Sequence, residues 1–130
     1  MKEIKVKENI YLEDFDVHVN QYLTYAQIQQ IVNAVIVFDT WSERHQNIDM
    51  LILYHATDIN KDELEKYDID ILKQSGLIDA VKNNIVNLNE LNEAIEYTTS
   101  VQRSLSQILK QMPQISKALN KGDRKNGNKK

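Results

Sequence analysis

Residues 23–58, LTYAQIQQIVNAVIVFDTWSERHQNIDMLILYHATD, form the stretch that decides the fold, because they hold the densest apolar sequence in the chain. Thr24 and Gln27 have the spacing of a capping box, in which each side chain satisfies a free backbone N–H of the other residue. Thr40 and Glu43 repeat that spacing, and apolar residues follow each start at helical intervals. The stretch therefore predicts two consecutive amphipathic helices that supply much of the core.

The residues before this stretch predict a β-hairpin. Apolar and polar residues alternate over residues 2–12 and again over residues 17–22, which is the period of a half-buried strand. Residues 13–16, EDFD, supply turn chemistry between the two segments. Two strands alone are only marginally stable, so we expect the hairpin to lie on the helices.

The residues after this stretch predict further helices. A short helix starts at Asn60 and ends near Gly76, a residue suited to the left-handed conformation that follows a helix. A brief amphipathic helix comes next, and the longest helix lies near residues 88–112, where Pro113 is expected to break or kink it. The predicted fold class is α+β, mainly α, with the N-terminal hairpin packed on about five helices.

The long helix carries apolar residues at a near-heptad spacing. Its middle is polar at Thr98, Thr99, Ser100 and Gln102, which weakens a coiled-coil seam. We expect its apolar stripe to pack against the domain, with helix-to-helix association between copies as the alternative.

Charge divides the chain into two parts. Residues 1–109 contain nine basic and eighteen acidic residues, whereas the residues from 110 onward contain seven basic residues and one acid. We expect a single globular domain over residues 1–112 and a basic, flexible tail over residues 113–130. Basic tails contact nucleic acid or acidic partners, or simply keep a chain solvated. The tail residues available for phosphate or acidic-partner contacts are Lys117, Lys121, Arg124, Lys125, Lys129 and Lys130.

The sequence carries no established catalytic or phosphate-binding motif. Cysteine is absent, which excludes disulfides and thiolate metal sites. Residues 58–62 imitate the first half of a calcium-binding loop, but Glu63 stands where that loop needs glycine. His45 and Asp49 share one helix face and lack a third metal ligand in sequence. We therefore expect no catalytic residue, no metal and no cofactor, and we predict that the protein is not an enzyme.

The second helix of the deciding stretch offers candidates for a partner interface. Aromatic and arginine side chains often anchor such interfaces, although core packing is the alternative for its tryptophan and tyrosine. The candidates are Trp41, Arg44, His45 and Tyr54.

Three landmarks resemble a known class of proteins. They are residues 22–27, YLTYAQ, leading into Ile31 and Val32, then residues 53–59, LYHATDI, then Tyr67 and Asp68 followed by residues 75–78, SGLI. Together they resemble small strand-then-helix proteins of tailed bacteriophages that infect low-GC Gram-positive bacteria, over about residues 2–110. The resemblance implies a virion component or assembly factor that works by protein contacts. It brings no catalytic residue to transfer.

The leading hypothesis is thus a non-enzymatic phage virion component or virion-assembly factor, whose partners are other virion proteins or further copies of itself. The alternative is a phage-encoded regulator or host-defence antagonist that binds nucleic acid, or a nucleic-acid-handling protein, through the basic tail. No membrane partner is expected, because the apolar runs fall far short of the roughly 20 residues of a membrane-spanning helix. The expected location is the virion or the host cytoplasm.

Overall fold

The computed structural model describes the backbone of residues 1–127 and the side chains of residues 1–112. In this part of the chain an antiparallel hairpin, β1 (Ile10–Leu12) and β2 (Val17–Val19), precedes six helices. The helices are α1 (Tyr25–Val35), α2 (Trp41–Ala56), α3 (Lys61–Glu65), α4 (Ile69–Gln74), α5 (Leu77–Asn83) and α6 (Leu88–Gly127). The protein is α+β and mainly helical, as predicted.

The two helices of residues 23–58 begin at the predicted caps. The Thr24 hydroxyl accepts the Gln27 backbone N–H, and the Gln27 side chain accepts the Thr24 backbone N–H, which closes the capping box. Thr40 accepts the Glu43 backbone N–H in the same way at the start of α2. The apolar faces of both helices meet in the core, where their buried residues are Ile28, Ile31, Val32, Val35, Ile52, Leu53 and Ala56.

The hairpin is shorter than predicted. Ile10 pairs with Val19, and the strand predicted over residues 2–9 is absent. The partner strand ends at Val19 because the next backbone N–H, that of Asn20, donates to the Ala56 carbonyl at 2.7 Å. The chain is thereby turned onto the end of α2, and β2 is too short to pair with residues 2–9.

The helix predicted between Asn60 and Gly76 is two helices. The Asp68 carboxylate accepts the Asp70 backbone N–H and starts α4, so α3 ends before it. Asn60 caps α3 by accepting the Asp62 backbone N–H. Gly76 has a φ of 87°, the left-handed conformation that was predicted for it.

The long helix α6 begins at Leu88, as predicted, and its backbone is helical to Gly127, so it does not end at Pro113. By its contacts the chain divides into two units, Met1–Ile95 and Glu96–Lys130. The predicted division into a domain of residues 1–112 and a tail of residues 113–130 stays a prediction. Within the first unit, the opening turn of α6 contributes the fully buried Leu91 to the core.

Two polar side chains are buried in the first unit, and each has a specific partner. Asp49 of α2 is 7% exposed, and the Lys82 ammonium of α5 lies 2.5 Å from its Oδ1. Asn87 is 4% exposed; it accepts the Leu23 backbone N–H at 2.9 Å and donates to the Leu23 carbonyl at 2.8 Å. A buried polar group destabilises the fold unless it has a partner, so these contacts must be kept in the folded state. They join α2 to α5 and the start of α1 to the start of α6.

Candidate interaction surfaces

Trp41 and His45 form an exposed aromatic pair at the start of α2. Their positions differ by four, which places them on adjacent turns of one helix face. The ring centroids are 4.3 Å apart, and the rings are tilted by 46°. Trp41 is 72% exposed, so the core-packing alternative does not apply to it. The pair is available to a partner, and its role in an interface stays a prediction.

Arg44 lies in the same turn of helix, but its guanidinium points into the connection between α1 and α2. It donates from Nε to the Phe38 carbonyl and from an Nη to the Ile36 carbonyl. Ile36 is the residue that ends α1, so Arg44 satisfies carbonyls that have no helical partner and places positive charge at the negative end of that helix. This is a structural role within the chain.

Tyr54 lies apart from the other three candidates. It is thirteen positions from Trp41 on the same helix, which corresponds to about 20 Å along the axis. The side chain is half-buried and packs against the core, while its ring lies 5.8 Å from the Lys61 ammonium. The four candidates therefore do not form one continuous patch.

The basic candidates of the tail lie outside the residues whose side chains the structure describes. They are Lys117, Lys121, Arg124, Lys125, Lys129 and Lys130. Their contacts with phosphate or an acidic partner stay a prediction.

A cleft of about 410 Å³ opens between the hairpin turn and the segment from α3 to α5. Buried Leu64 and Leu72 contribute to its apolar lining, and three carboxylates lie around it, those of Asp16, Asp58 and Glu63. Among the described residues that line the cleft, none is basic. Such a lining suits an apolar group that carries a positive charge.

His18 and Asp58 form a hydrogen-bonded pair beside this cleft. The Asp58 carboxylate lies 2.9 Å from His18 Nδ1, and its other oxygen accepts the His18 backbone N–H at 2.9 Å. That backbone hydrogen bond is the main cause of the lowered pKa of Asp58. The Asp58 N–H also donates to the His18 carbonyl, and Val19 forms a β-bridge with Thr57. The pair thus fastens the end of α2 to β2.

Tyr11 extends the same cluster on the hairpin. Its ring centroid lies 4.8 Å from that of His18, and its hydroxyl donates to the Asp16 carboxylate at 2.6 Å, which raises the pKa of Tyr11. A histidine–carboxylate pair occurs in many catalytic sites, but nucleophilic catalysis needs a nucleophile within hydrogen-bond reach of the imidazole. In the described part of the chain the hydrogen bonds of His18 join it to Asp58.

Sequence reasoning missed both the cleft and the pair. His18 and Asp58 are separated by 40 positions, and no local pattern connects them. In the sequence, Asp58 stood out only because residues 58–62 imitate the first half of a calcium-binding loop. Within the described residues, no group of three or more His, Cys, Asp or Glu side chains is arranged to hold a metal ion. His45 and Asp49 also take separate partners, Trp41 and Lys82.

Several exposed apolar side chains lie on α6 between residues 95 and 112. Five of its large apolar side chains are 40–62% exposed, and packing of this stripe against the domain stays a prediction. We call these residues the α6 stripe: Val101, Leu105, Ile108, Leu109 and Met112. At helical spacing they follow one side of the helix, with Tyr97, 73% exposed, one turn before them.

The charged residues of the same segment lie away from the α6 stripe. Arg103 and Lys110 project from the opposite side of the helix, because each is about half a turn from the line of Val101, Leu105 and Ile108. The positions that flank the stripe are uncharged glutamine, serine and tyrosine. The face is therefore apolar at its centre and neutral at its edges.

None of the helices in the part of the chain that was searched combines the length and apolar character needed to cross a membrane. A scan of protein-family models gave no match to this chain, and searches of curated proteins and of solved structures gave none either.

Proposed function

We propose that the protein is a non-enzymatic component or assembly factor of a phage particle and that it acts by associating with further copies of itself through α6. The α6 stripe is the observation that carries the proposal. Single apolar residues are common on protein surfaces, but contiguous apolar strips mark interaction sites. The phage setting is supported by the resemblance of the three sequence landmarks.

The size of the α6 stripe suits an interface. Five large side chains, each about half exposed, present on the order of 400 Å² of apolar surface. This area is comparable to the largest patch on a typical monomeric protein, and such patches are often functional. Burial of such an area stabilises an association by roughly 25 cal/mol for each Å² removed from water, before the entropy of association is subtracted. An isolated α6 whose stripe stays in contact with water lacks this stabilisation.

Charge favours a second copy as the occupant. Residues 1–95 carry seventeen acidic and eight basic residues, so two copies that met through that part of the chain would repel each other. The α6 stripe and its flanks carry no charge, and Arg103 and Lys110 lie on the far side of the helix. Two stripes can therefore meet without placing like charges against each other.

The alternative function, nucleic-acid binding by a regulator or defence antagonist, depends on basic residues whose side chains lie outside the described part of the chain. The observations on the described residues favour association through α6.

Sedimentation velocity of the full chain tests the proposed association. The wild-type protein is expected to sediment as an oligomer, whereas the double variant Leu105→Gln with Ile108→Gln is expected to sediment as a monomer. Glutamine keeps a high helix propensity, so the change removes apolar surface without breaking the helix. Circular dichroism at 222 nm checks that the helix is retained.

The matched control changes the opposite side of α6. Arg103→Gln with Lys110→Gln makes the same number of substitutions and should leave the oligomer intact. A wild-type chain that is monomeric at every concentration, or a control that dissociates as fully as the stripe variant, would contradict the proposal. Mass spectrometry of purified particles and of their assembly intermediates tests the phage setting, which fails if the protein is absent from both.

A further inference from the structure

The cleft between the hairpin turn and the segment from α3 to α5, which we call the acidic cleft, has the size and lining of a binding site. Its volume of about 410 Å³ lies within the roughly 300–1,000 Å³ of known ligand pockets. Leu64, Leu72 and Leu77 line it and are buried. Tyr67 and Ile71 also line it, and they are 54% and 55% exposed. The acidic cleft thus presents apolar surface that its own walls do not cover.

The walls of the acidic cleft are held by hydrogen bonds within the chain. On one side, the Asp58 carboxylate accepts the His18 backbone N–H at 2.9 Å, and the Asp58 backbone N–H donates to the His18 carbonyl at 3.2 Å. On the other side, the Ser75 hydroxyl donates to the Leu72 carbonyl at 2.7 Å. A site that is formed before its ligand arrives loses less free energy in ordering side chains, so even a modest set of contacts can bind there.

The walls of the acidic cleft carry negative charge and no positive counterpart. Asp16, Asp58 and Glu63 line it, and none of the described lining residues is lysine or arginine. In the described part of the chain, the ion pairs that involve lysine join it to other carboxylates. The hydrogen bond from the His18 backbone holds the pKa of Asp58 below its usual value, so this carboxylate is charged at neutral pH. The acidic cleft therefore attracts a cation.

We propose that the acidic cleft binds a segment of a partner protein in which a bulky aliphatic side chain stands beside lysine or arginine. The aliphatic group would contact the buried leucines, and the cation would lie against the carboxylates. Phosphate groups of nucleic acid or lipid are excluded as ligands, because the carboxylates repel them. The contact does not use the α6 stripe, so the inference goes beyond the proposed association through α6.

The surroundings of the acidic cleft favour a protein segment over a small molecule. Pockets for small molecules bury most of the ligand surface, whereas this cleft is open to solvent and leaves Tyr67 and Ile71 half exposed beside it. Tyrosine is enriched in interfaces between proteins. The excess of acidic over basic residues in residues 1–95 also accelerates encounter with a basic segment.

Fluorescence polarisation with the full chain tests the site. The probe is a fluorescein-labelled peptide of six residues in which leucine alternates with lysine, and the comparison peptide has glutamate in place of lysine. The lysine peptide should bind saturably, and its affinity should fall as the salt concentration is raised from about 0.05 M to about 0.5 M. The glutamate peptide should not bind.

Two variants locate the binding in the acidic cleft. Asp16→Asn with Glu63→Gln removes two charges and should weaken binding about fivefold. Asparagine tolerates the left-handed conformation of Asp16, whose φ is 51°, so the hairpin turn is retained. Ile71→Gln keeps a good helix former in α4 and should weaken binding by a similar factor through lost apolar contact. Circular dichroism checks that each variant is folded.

The matched control removes the same two kinds of charge elsewhere in the same unit. Asp79→Asn with Glu93→Gln changes exposed acids that do not line the acidic cleft, and it should alter the affinity less than about twofold. An equal loss in the control and in the cleft variants overturns the site. Absence of saturable binding of the lysine peptide below about 1 mM overturns it as well.

Three further measurements exclude other occupants and other sites. Displacement of the peptide by n-hexylamine at equal concentration overturns the protein segment in favour of a small amine. Tighter peptide binding by Lys117→Gln with Lys121→Gln overturns the partner protein in favour of the basic segment of this chain. Loss of binding in Leu105→Gln with Ile108→Gln places the peptide on the α6 stripe and overturns the inference. Unchanged binding in that variant supports the acidic cleft even where association through α6 fails.

Discussion

Replacement of Asn87 by alanine should strongly destabilise the unit Met1–Ile95. The Asn87 amide binds both backbone groups of Leu23, a residue with no exposed surface. The variant leaves one N–H and one carbonyl of Leu23 without those partners. A buried polar group that loses its partner costs about 1–3 kcal/mol, so the two together correspond to roughly 2–5 kcal/mol. That is a large part of the roughly 5–15 kcal/mol by which domains are stable.

Urea denaturation gives the free energy of unfolding, and amide hydrogen exchange at Leu23 gives the free energy of local opening at that residue. The second measurement matters because α6 continues beyond Ile95 and contributes helical signal of its own to circular dichroism. Exchange of the Leu23 N–H should become faster in the variant, since its acceptor Oδ1 is gone.

The control for this variant is Asn83→Ala, which makes the same chemical change at an exposed position at the end of α5. It should alter stability by less than about 0.5 kcal/mol, as surface substitutions usually do. If Asn87→Ala also loses less than about 0.5 kcal/mol and leaves Leu23 exchange unchanged, the assigned role of the Asn87 amide is refuted.

Two further predictions concern charged groups in the same unit. Lys82→Met removes the cation beside the buried Asp49 carboxylate and should lower the free energy of unfolding by about 3 kcal/mol. The double variant that adds Asp49→Leu should recover most of this loss. Equal urea midpoints for the single and double variants would contradict this prediction. Burial lowers the pKa of His55 in the folded protein. At a pH between this folded pKa and the unfolded value of about 6.5, the unfolded chain therefore binds more protons at His55 than the folded chain does. The free energy of unfolding should fall as the pH drops through that range. His55→Gln should flatten that part of a profile of unfolding free energy against pH, and an unchanged slope would count against the assignment.

Local signals in the sequence indicated where α1, α2 and α3 begin. The caps at Thr24, Thr40 and Asn60 depend on hydrogen bonds that span two or three residues, so the residues needed to recognise them are adjacent in the chain. The left-handed conformation at Gly76 was equally local, because it depends on the absence of a side chain. Fold class followed from the same signals.

The surface candidates were predictable to a lesser degree. The contact between Trp41 and His45 follows from their separation by four positions on a helix. The role of Arg44 did not follow, because its acceptors are the carbonyls at the end of another helix. Likewise the near-heptad spacing of α6 was visible in the sequence, but whether that face is covered depends on what lies beside it.

The tertiary structure alone decided the features that join distant residues. It ended β2 at Val19 by offering the Ala56 carbonyl to Asn20, and it paired Asn87 with Leu23 across 64 positions. Patterns along the chain report the conformation of neighbouring residues, whereas such pairings depend on the whole arrangement of the helices. For the same reason the near-heptad spacing of α6 was visible in the sequence, whereas the 40–62% exposure of the α6 stripe was found only in the structure.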